Sequence, residues 1–375
     1  MRLAAKLVHL FLEKPLSKNE NGHNHYSLKS ISNSLKKKIK IGGIVILTGI
    51  LILASVLFLP RQYDVDPFQE RKGTKYWELK TGSTIGYFKI ESFGSDKKSP
   101  IIYLHGGPGG RVHDKAIEAL RPLSSQGHDL YFYDQAGSGH SQRLTNIEEY
   151  SVERHQKDLK EIVSIIGADK VILIGHSWGA LLAINYLEDY EETVEKLVLT
   201  GPGPILPINT AIINEIPPDS LSLTEPEYSN KEGNQKAYNW RSRLIEKWAY
   251  LFGTKLASDK EADDFFTYLN QELSKSTVCT VKGPQKYEGG GGFYSHIMTV
   301  KSFRDVENRR ERLKKSNIPL LILRGQCDNQ KWGFTKEYLD LFPNSRLTII
   351  KDVGHDIVST KADEYITLIK EFIDE

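Results

Sequence analysis

The sequence predicts an α/β protein with a mostly parallel, doubly wound sheet, an inserted helical segment and one transmembrane helix before the sheet. Short runs of β-branched and other apolar residues alternate with segments of helical periodicity, the order expected when helices cover both faces of a parallel sheet. One run, residues 171–174, reads VILI and is apolar at every position, as a strand buried on both faces requires. Residues 41–59 carry no charge and are long enough to cross a bilayer.

Eight strands are expected in the second part of the chain. Residues 75–79 and 84–90 form a hairpin across the turn KTGS. The later strands are predicted at residues 100–104, 128–133, 171–174, 194–199, 318–323 and 346–350.

Helices are predicted between most of these strands. One begins at Ser151, a preferred N-cap residue, and ends at Gly167, which suits a left-handed C-cap. Others are expected near residues 113–125, 334–342 and 361–373.

The alternation is interrupted by residues 203–312, which we interpret as a helical cap inserted into the sheet domain. Five prolines lie between residues 202 and 218, and residues 244–252 have a helical apolar pattern. Residues 61–202 and 313–375 then form the two parts of the sheet domain. Within the cap, the stretch YEGGGGFY at residues 287–294 is either a surface loop or a hinge that gates the substrate.

The charge distribution separates a basic N-terminal arm from a mildly acidic globule. Residues 1–40 hold nine Lys and Arg against two Glu, so the net charge of +2 leaves −5 for the rest. This balance argues against a nucleic-acid binder. Because lysines precede the apolar stretch, residues 1–40 are predicted to be a cytoplasmic tail, residues 41–60 a single membrane anchor and the remainder extracytoplasmic. A signal peptide cleaved near residues 54–55 and a buried core helix are the alternatives.

Only two cysteines occur, Cys279 and Cys327. They do not amount to a disulfide framework. One disulfide outside the cell and two free thiols are both compatible with the sequence.

The stretch GHSWG at residues 175–179 stands between a predicted strand and a predicted helix. This is the context that a G-x-S-x-G nucleophile turn requires, with Ser177 exposed at the start of the helix. The two glycines are expected because side chains at positions 175 and 179 would collide across so sharp a turn. Ser177 is therefore the candidate nucleophile.

A serine nucleophile needs a base and an orienting acid. His355 follows the predicted strand 346–350, and Asp328 follows the strand 318–323, so both emerge at the carboxyl edge of the sheet. The chain order Ser, Asp, His is the order such folds use. Asp352 and Asp356 are the alternative acids, but they lie too close to His355 in sequence to reach the far ring nitrogen easily.

The stretch HGGPGG at residues 105–110 follows another strand. A dinucleotide-binding loop would need a third glycine where Val112 stands, so this interpretation fails. We expect an oxyanion hole instead, formed by the N–H groups of Gly107 and Trp178. His105 is expected to hold its own loop, and Asp134, in DQAGSGHS, to bind loop amides.

Together, HGGPGG, DQAGSGHS and GHSWGA resemble the prolyl aminopeptidase (proline iminopeptidase) group of α/β-hydrolases. The resemblance covers most of residues 75–375 and is poor in the cap. It implies triad roles for Ser177, Asp328 and His355, and oxyanion-hole roles for Gly107 and Trp178. It also implies a helical cap and no metal or organic cofactor.

The cap departs from the family pattern where the substrate amine should bind. Family aminopeptidases hold the free amino terminus with cap glutamates beside tryptophans. Here Trp240, Glu246 and Trp248 are candidates, although their spacing differs from that pattern. Three further glutamates are equally available: Glu215, Glu225 and Glu227.

The sequence thus predicts a membrane-anchored serine hydrolase that releases an N-terminal residue, such as proline, from short peptides. An esterase or lactonase that acts on small acyl substrates with the same triad is the alternative. A non-catalytic surface protein on a hydrolase fold is a third possibility, which the complete set of triad residues disfavours.

Overall fold

A computed structural model describes residues 28–93, 96–281, 283 and 286–375. The chain divides into two units at Leu59 and Pro60. The described part of the first unit forms helix α1 (Leu28–Phe58), which starts well before the predicted boundary at residue 41. Its segment Ser34–Val56 is long and apolar enough to span a membrane by length and composition, and none of it is buried. Residues 1–27 of the predicted tail lie outside the described residues.

The second unit is built on an eight-stranded sheet in the order β1-β2-β4-β3-β5-β6-β7-β8. Only the pairs β1–β2 and β2–β4 are antiparallel, and every other neighbouring pair is parallel. The predicted fold class is therefore confirmed. The strands are Lys75–Glu78 (β1), Thr84–Ile90 (β2), Lys98–Leu104 (β3), His128–Tyr133 (β4), Val171–His176 (β5), Val194–Thr200 (β6), Leu320–Gly325 (β7) and Ser345–Ile350 (β8).

Helices flank the sheet and fill the interval between β6 and β7. Those of the sheet domain are α2 (Asp114–Leu120), α3 (Val152–Ile166), α4 (Trp178–Tyr190), α10 (Trp332–Leu341), α11 (Ile357–Thr360) and α12 (Ala362–Asp374). Those of the interval are α5 (Asn230–Ala237), α6 (Trp240–Phe252), α7 (Asp259–Leu273), α8 (Phe293–Ser302) and α9 (Arg310–Leu313).

The core lies on both faces of the sheet because strand side chains alternate in direction. In β5, Val171 and Leu173 join one buried apolar cluster, whereas Ile172 and Ile174 join the cluster on the opposite face. Each of the four side chains is fully buried. An uninterrupted apolar run is what a strand covered by helices on both sides needs.

The ends of α3 follow the local sequence signals. The Ser151 side chain accepts a hydrogen bond from the Arg154 N–H, and Gly167 closes the helix in the left-handed region at φ 72°. Leu159, Ile162 and Val163 are buried on one face of the helix. Both predicted boundaries are confirmed.

The interval between β6 and β7 has its own internal packing. Arg241 of α6 pairs with Glu261 of α7 at 2.9 Å, and both side chains are buried. Phe265 of α7 packs edge-on against Phe293 of α8, with 5.7 Å between ring centroids. These contacts fix α6, α7 and α8 relative to one another.

Candidate active site

Ser177 occupies a one-residue turn between β5 and α4. Its backbone lies at φ 52° and ψ −114°, a strained conformation for a residue with a side chain. The Ser177 N–H donates to the Thr200 carbonyl at 2.9 Å, which ties the turn to β6. A Cβ at Gly175 would lie 2.6 Å from the Gly179 carbonyl oxygen, and one at Gly179 would overlap the Leu104 carbonyl. The predicted need for both glycines is confirmed.

His355 and Asp328 meet at the carboxyl edge of β7 and β8. The His355 Nδ1–H donates to Asp328 Oδ1 at 2.9 Å, and the same oxygen accepts the Gln330 N–H at 2.9 Å. Both side chains are buried. The Nδ1 proton is thereby fixed, so Nε2 is the ring atom that is free to accept a proton.

The ionisation of this pair is set by competition between burial and charge. Burial alone would lower the pKa of His355, but the charge and hydrogen bond of Asp328 outweigh it and raise the pKa above 6.5. Burial alone would raise the pKa of Asp328, but His355 and then Arg324 hold it below its usual value. The carboxylate therefore stays ionised at neutral pH.

Two residues that belong to none of the sequence motifs, Gly201 and Arg324, support the pair. A Cβ at Gly201, whose φ is +51°, would lie 2.7 Å from His355 Nδ1 and 2.9 Å from Asp328 Oδ2. Arg324 is buried and donates to the Thr335 hydroxyl at 2.8 Å and to the Gln330 carbonyl at 2.6 Å. The sequence does mark Arg324 in one way, because it is an arginine near the end of β7, a strand that is otherwise apolar.

The glycine loop at residues 105–110 lies directly against the serine turn. A Cβ at Gly106 would lie 3.2 Å from the Ser177 Cβ, and one at Gly107, whose φ is +140°, would lie 2.5 Å from the Gly110 nitrogen. Only glycine leaves room for this path. The N–H of Trp178 belongs to the first turn of α4, where backbone donors lack partners within the helix.

A buried network holds the glycine loop to α4. His105 Nδ1–H donates to the Gly106 carbonyl at 2.8 Å, and His105 Nε2 accepts the Gln135 N–H at 2.9 Å. The Gln135 amide in turn donates to the His105 carbonyl and accepts the Trp178 indole N–H at 2.6 Å. The expectation that His105 holds its own loop is confirmed.

The segment DQAGSGHS supports the same loop from behind. The Asp134 carboxylate accepts the backbone N–H groups of Val112 and His140 at 2.7 and 2.9 Å, as expected. The glycine run 289–292 packs against both loops, since the Gly292 N–H donates to the Gly109 carbonyl at 2.8 Å. All four glycines of this run are buried, so the expectation of a surface loop is wrong.

Ser177 and His355 line one cavity of about 1260 Å³. Gly107 lies in the same wall, and the His176 ring lies 4.9 Å from the His355 ring. Among the described residues, no hydrogen bond joins the Ser177 hydroxyl to His355. Such contacts often tighten only when substrate is bound.

The cap residues that were candidates for binding the substrate amine lie outside the wall of this cavity. Of the described residues that form the cavity wall, none is Trp240, Glu246 or Trp248. Both tryptophans are exposed, and the Trp248 indole N–H donates to the Thr254 hydroxyl at 3.0 Å. Acidic residues of the cavity wall include Glu288, which belongs to none of the sequence motifs, and Asp356, one of the two alternative acids for His355. Glu288 pairs with Arg111 at 2.9 Å.

A family model described as the alpha/beta hydrolase fold matches residues 99–362, more than half of the chain. The chain belongs to the α/β-hydrolase family. Together with its relatives, this membership identifies a hydrolase enzyme.

Curated relatives of this α/β-hydrolase carry the name proline iminopeptidase. The protein from Saccharolobus solfataricus is 27% identical over 298 residues, which cover 77% of this chain and 89% of the relative. The protein from Neisseria meningitidis is 25% identical over 304 residues, which cover 74% and 92%. The resemblance to the prolyl aminopeptidase group is confirmed.

Solved structures show the same fold. An esterase from Exiguobacterium antarcticum superposes with a TM-score of 0.55 at 17% identity, over 80% of this chain and 99% of the esterase. Est816, described as an N-acyl homoserine lactone degrading enzyme, gives a TM-score of 0.51 at 18% identity, over 80% and 100%. At such identities, the likeness concerns the fold.

The two cysteines of this α/β-hydrolase form a disulfide. Cys279 and Cys327 have their Cα atoms 5.5 Å apart, within the usual range. The bond connects the interval between β6 and β7 to the residue that precedes Asp328. Of the two alternatives that the sequence left open, the structure contains the disulfide.

Reduction of this disulfide is expected to lower the free energy of unfolding by about 2–4 kcal/mol, because the bond closes a loop with a sequence separation of 48 residues. Urea unfolding with and without dithiothreitol measures the change. The double variant Cys279→Ser, Cys327→Ser is the matched control and should not respond to reductant. Equal midpoints for the wild type in both conditions would contradict the expectation.

Proposed function

We propose that this α/β-hydrolase is a membrane-anchored serine hydrolase, with Ser177 as nucleophile, His355 as general base and Asp328 as the orienting carboxylate. The observation that carries the proposal is the shared cavity: Ser177, at the strained turn, and His355 line the same wall, and His355 is hydrogen-bonded to the buried Asp328. We also propose that residues 203–312 form a cap over the sheet domain.

In the proposed reaction, the Ser177 hydroxyl attacks the substrate carbonyl while His355 Nε2 accepts its proton. The N–H groups of Gly107 and Trp178 donate to the oxygen that becomes negative. His355 then gives the proton to the leaving amine or alcohol, and an acyl group remains on Ser177. A water molecule, deprotonated by His355, then attacks the acyl carbonyl; the bond between the acyl group and the Ser177 oxygen breaks, and His355 returns the proton to that oxygen.

We favour an aminopeptidase that acts on short peptides, because the relatives that cover most of the chain are proline iminopeptidases. An aminopeptidase must bind a cationic amine, and the cavity wall offers carboxylates such as Glu288 and Asp356 for this purpose, beside an equal number of basic residues. The esterase or lactonase alternative also has an observation in its favour. Glu288 is already paired with Arg111, and Glu246 lies outside the cavity wall.

A competition among three substrates tests this choice. Prolyl arylamide should be cleaved, N-acetylprolyl arylamide should not be, and short p-nitrophenyl esters should be poorer substrates than the free prolyl arylamide. The acetylated compound is the matched control, because acetylation converts the cationic amine to a neutral amide and leaves the scissile bond unchanged. Rapid ester cleavage without any arylamidase activity would exclude the peptidase.

We further propose that α1 anchors the protein with its N-terminal side in the cytoplasm and the hydrolase domain outside. Four lysines (36, 37, 38 and 40) precede the most apolar stretch, as the positive-inside rule requires. The disulfide supports an oxidising compartment.

The same helix would also suit a signal sequence, so retention and orientation must both be measured. The intact mass of protein extracted from membranes should include residues 34–56. Added protease should degrade the hydrolase domain in cells with permeable walls and intact membranes. Protection of the domain would refute this orientation, and loss of the helix would refute the anchor.

A further inference from the structure

Helix α6 exposes large apolar side chains on the side that faces away from the protein. Its buried side consists of Arg241 and three small or aliphatic residues, namely Ser242, Ile245 and Ala249. The same helix carries four exposed large apolar side chains, Trp240 at its N-terminal end and Trp248, Leu251 and Phe252 toward its C-terminal end, which are 53%, 37%, 70% and 59% exposed. We call these four residues the aromatic face. The Trp248 and Phe252 rings lie 4.6 Å apart, and exposed apolar side chains grouped in this way mark a site of interaction.

Basic side chains border the aromatic face. Arg243 and Lys247 are exposed on the same helix. From the end of α8, Lys301 donates to the Tyr250 carbonyl at 2.8 Å, and Arg304 approaches the Tyr250 hydroxyl at 3.4 Å.

Three acidic side chains of the described residues lie close to this border: Glu246, Asp305 and Glu148, whose carboxyl group lies against Gly253 at the end of α6. Glu246 is half-buried and interacts with Tyr238, while Asp305 lies 3.7 Å from Arg304. Four basic residues against three acidic ones leave the border with a net charge of 4 − 3 = +1, which favours a negatively charged partner.

The chain enters the hydrolase domain beside this same helix. The Arg61 N–H donates to Glu261 at 2.9 Å, and Glu261 pairs with Arg241 of α6. The Tyr63 hydroxyl accepts the side-chain amide of Asn239, the N-cap of α6, at 3.2 Å. Residues 61–63 are thus held at the N-terminal end of α6, one residue from Trp240.

Covalent geometry limits how far a membrane could lie from this point. Residues 57–60 connect the end of the apolar segment, Val56, to Arg61. Extended chain covers at most about 3.6 Å per residue, so a bilayer that held this segment would lie within about 20 Å of Arg61. The aromatic face begins beside that residue.

We propose that the aromatic face is a docking surface for an anionic phospholipid bilayer. Its tryptophans would lie at the level of the headgroups, where the amphipathic indole ring is favoured. The four basic residues of its border would contact lipid phosphates. This surface goes beyond the proposed catalytic function and does not depend on it. It would hold the hydrolase domain against the membrane in a defined orientation.

Tryptophan quenching tests the proposal on the full chain. The chain has five tryptophans, and Trp77, Trp178 and Trp332 are buried. In vesicles of phosphatidylcholine and phosphatidylglycerol that contain brominated lipid, we expect emission from the two exposed tryptophans to be quenched. The double variant Trp240→Phe, Trp248→Phe should lose that quenching, and vesicles without phosphatidylglycerol should weaken it.

Two aspartate substitutions separate docking of the aromatic face from the general effect of an added negative charge. Leu251→Asp places a carboxylate within the aromatic face and should reduce quenching by brominated lipid at least about threefold. Ile216→Asp alters another exposed apolar residue, 85% exposed and outside α6, and should leave quenching unchanged. Circular dichroism verifies that each variant is folded.

Two results would overturn the proposal. One is quenching of Trp240 and Trp248 by aqueous iodide but not by brominated lipid, which would show that the face remains in water. The other is protection from both quenchers that disappears when the protein is diluted in lipid, which would show that a second copy covers the face.

Discussion

Replacement of Ser177 by alanine is expected to lower kcat/KM by at least about 10⁴-fold, the largest effect of any single substitution proposed for this chain. The variant lacks the oxygen that would form the acyl-enzyme, so the glycine loop and the cavity can contribute only binding and charge stabilisation. Alanine also fits the turn, since it adds no atoms to a packed site. Steady-state hydrolysis of the preferred substrate and labelling by a fluorophosphonate measure the loss.

Ser125→Ala is a suitable control for this experiment. Ser125 is exposed, its hydroxyl donates to the Pro122 carbonyl at 2.7 Å, and it does not line the cavity. Its activity and labelling should match the wild type. If folded Ser177→Ala kept its activity, the nucleophile would be another residue. If neither wild type nor variant were labelled, a non-catalytic surface protein would be the better interpretation.

Asp328→Asn is expected to lower kcat by about 10³–10⁴-fold and to move the acid limb of the pH profile to lower pH. The amide can accept the His355 hydrogen bond but supplies no negative charge. In the wild type, His355 must be neutral to act as base, so activity falls as the pH drops through a pKa that lies above 6.5. Without the carboxylate, burial dominates and lowers this pKa, so the base stays neutral in more acidic solution.

The pH dependence of kcat/KM for both proteins tests this expectation. Asp352→Asn is the comparison, because Asp352 was an alternative acid and is exposed at φ 56°, a conformation that asparagine tolerates. It should change kcat/KM far less than Asp328→Asn does. An acid limb at the same pH in wild type and Asp328→Asn would show that this limb does not report His355.

The strands of the fold could be predicted closely because each β-strand carries its signal in a few adjacent residues. The expected runs at 84–90 and 128–133 coincide with β2 and β4. Their positions in the sheet could not be predicted in the same way. β4 pairs with β2 and β3, and β3 pairs with β5. This strand order depends on how the helices pack across the two faces of the sheet.

Some residues of the proposed site could be predicted from the sequence, and others could not. The serine turn, the histidine and the aspartate each follow a strand, so the rule that carboxyl ends of parallel strands share an edge brings them together. Gly201 and Arg324 lie outside any motif, and their roles depend on space and charge around the His355–Asp328 pair. The buried position of the glycine run 289–292 likewise depends on two loops that are distant in sequence.

By itself, the sequence determined what is local in this protein: the apolar helix, the eight strands, the strained serine turn and the membership in a hydrolase family. Periodicity, glycine requirements and capping act over a few neighbouring residues, and so can be recognised in one chain. Only the tertiary structure decided the disulfide, the residues that line the cavity and the exposure of α6. These depend on contacts between segments that are distant in sequence, 48 residues apart in the case of the disulfide. Apolar residues such as Trp248 give the same signal in sequence whether they face the core or the solvent.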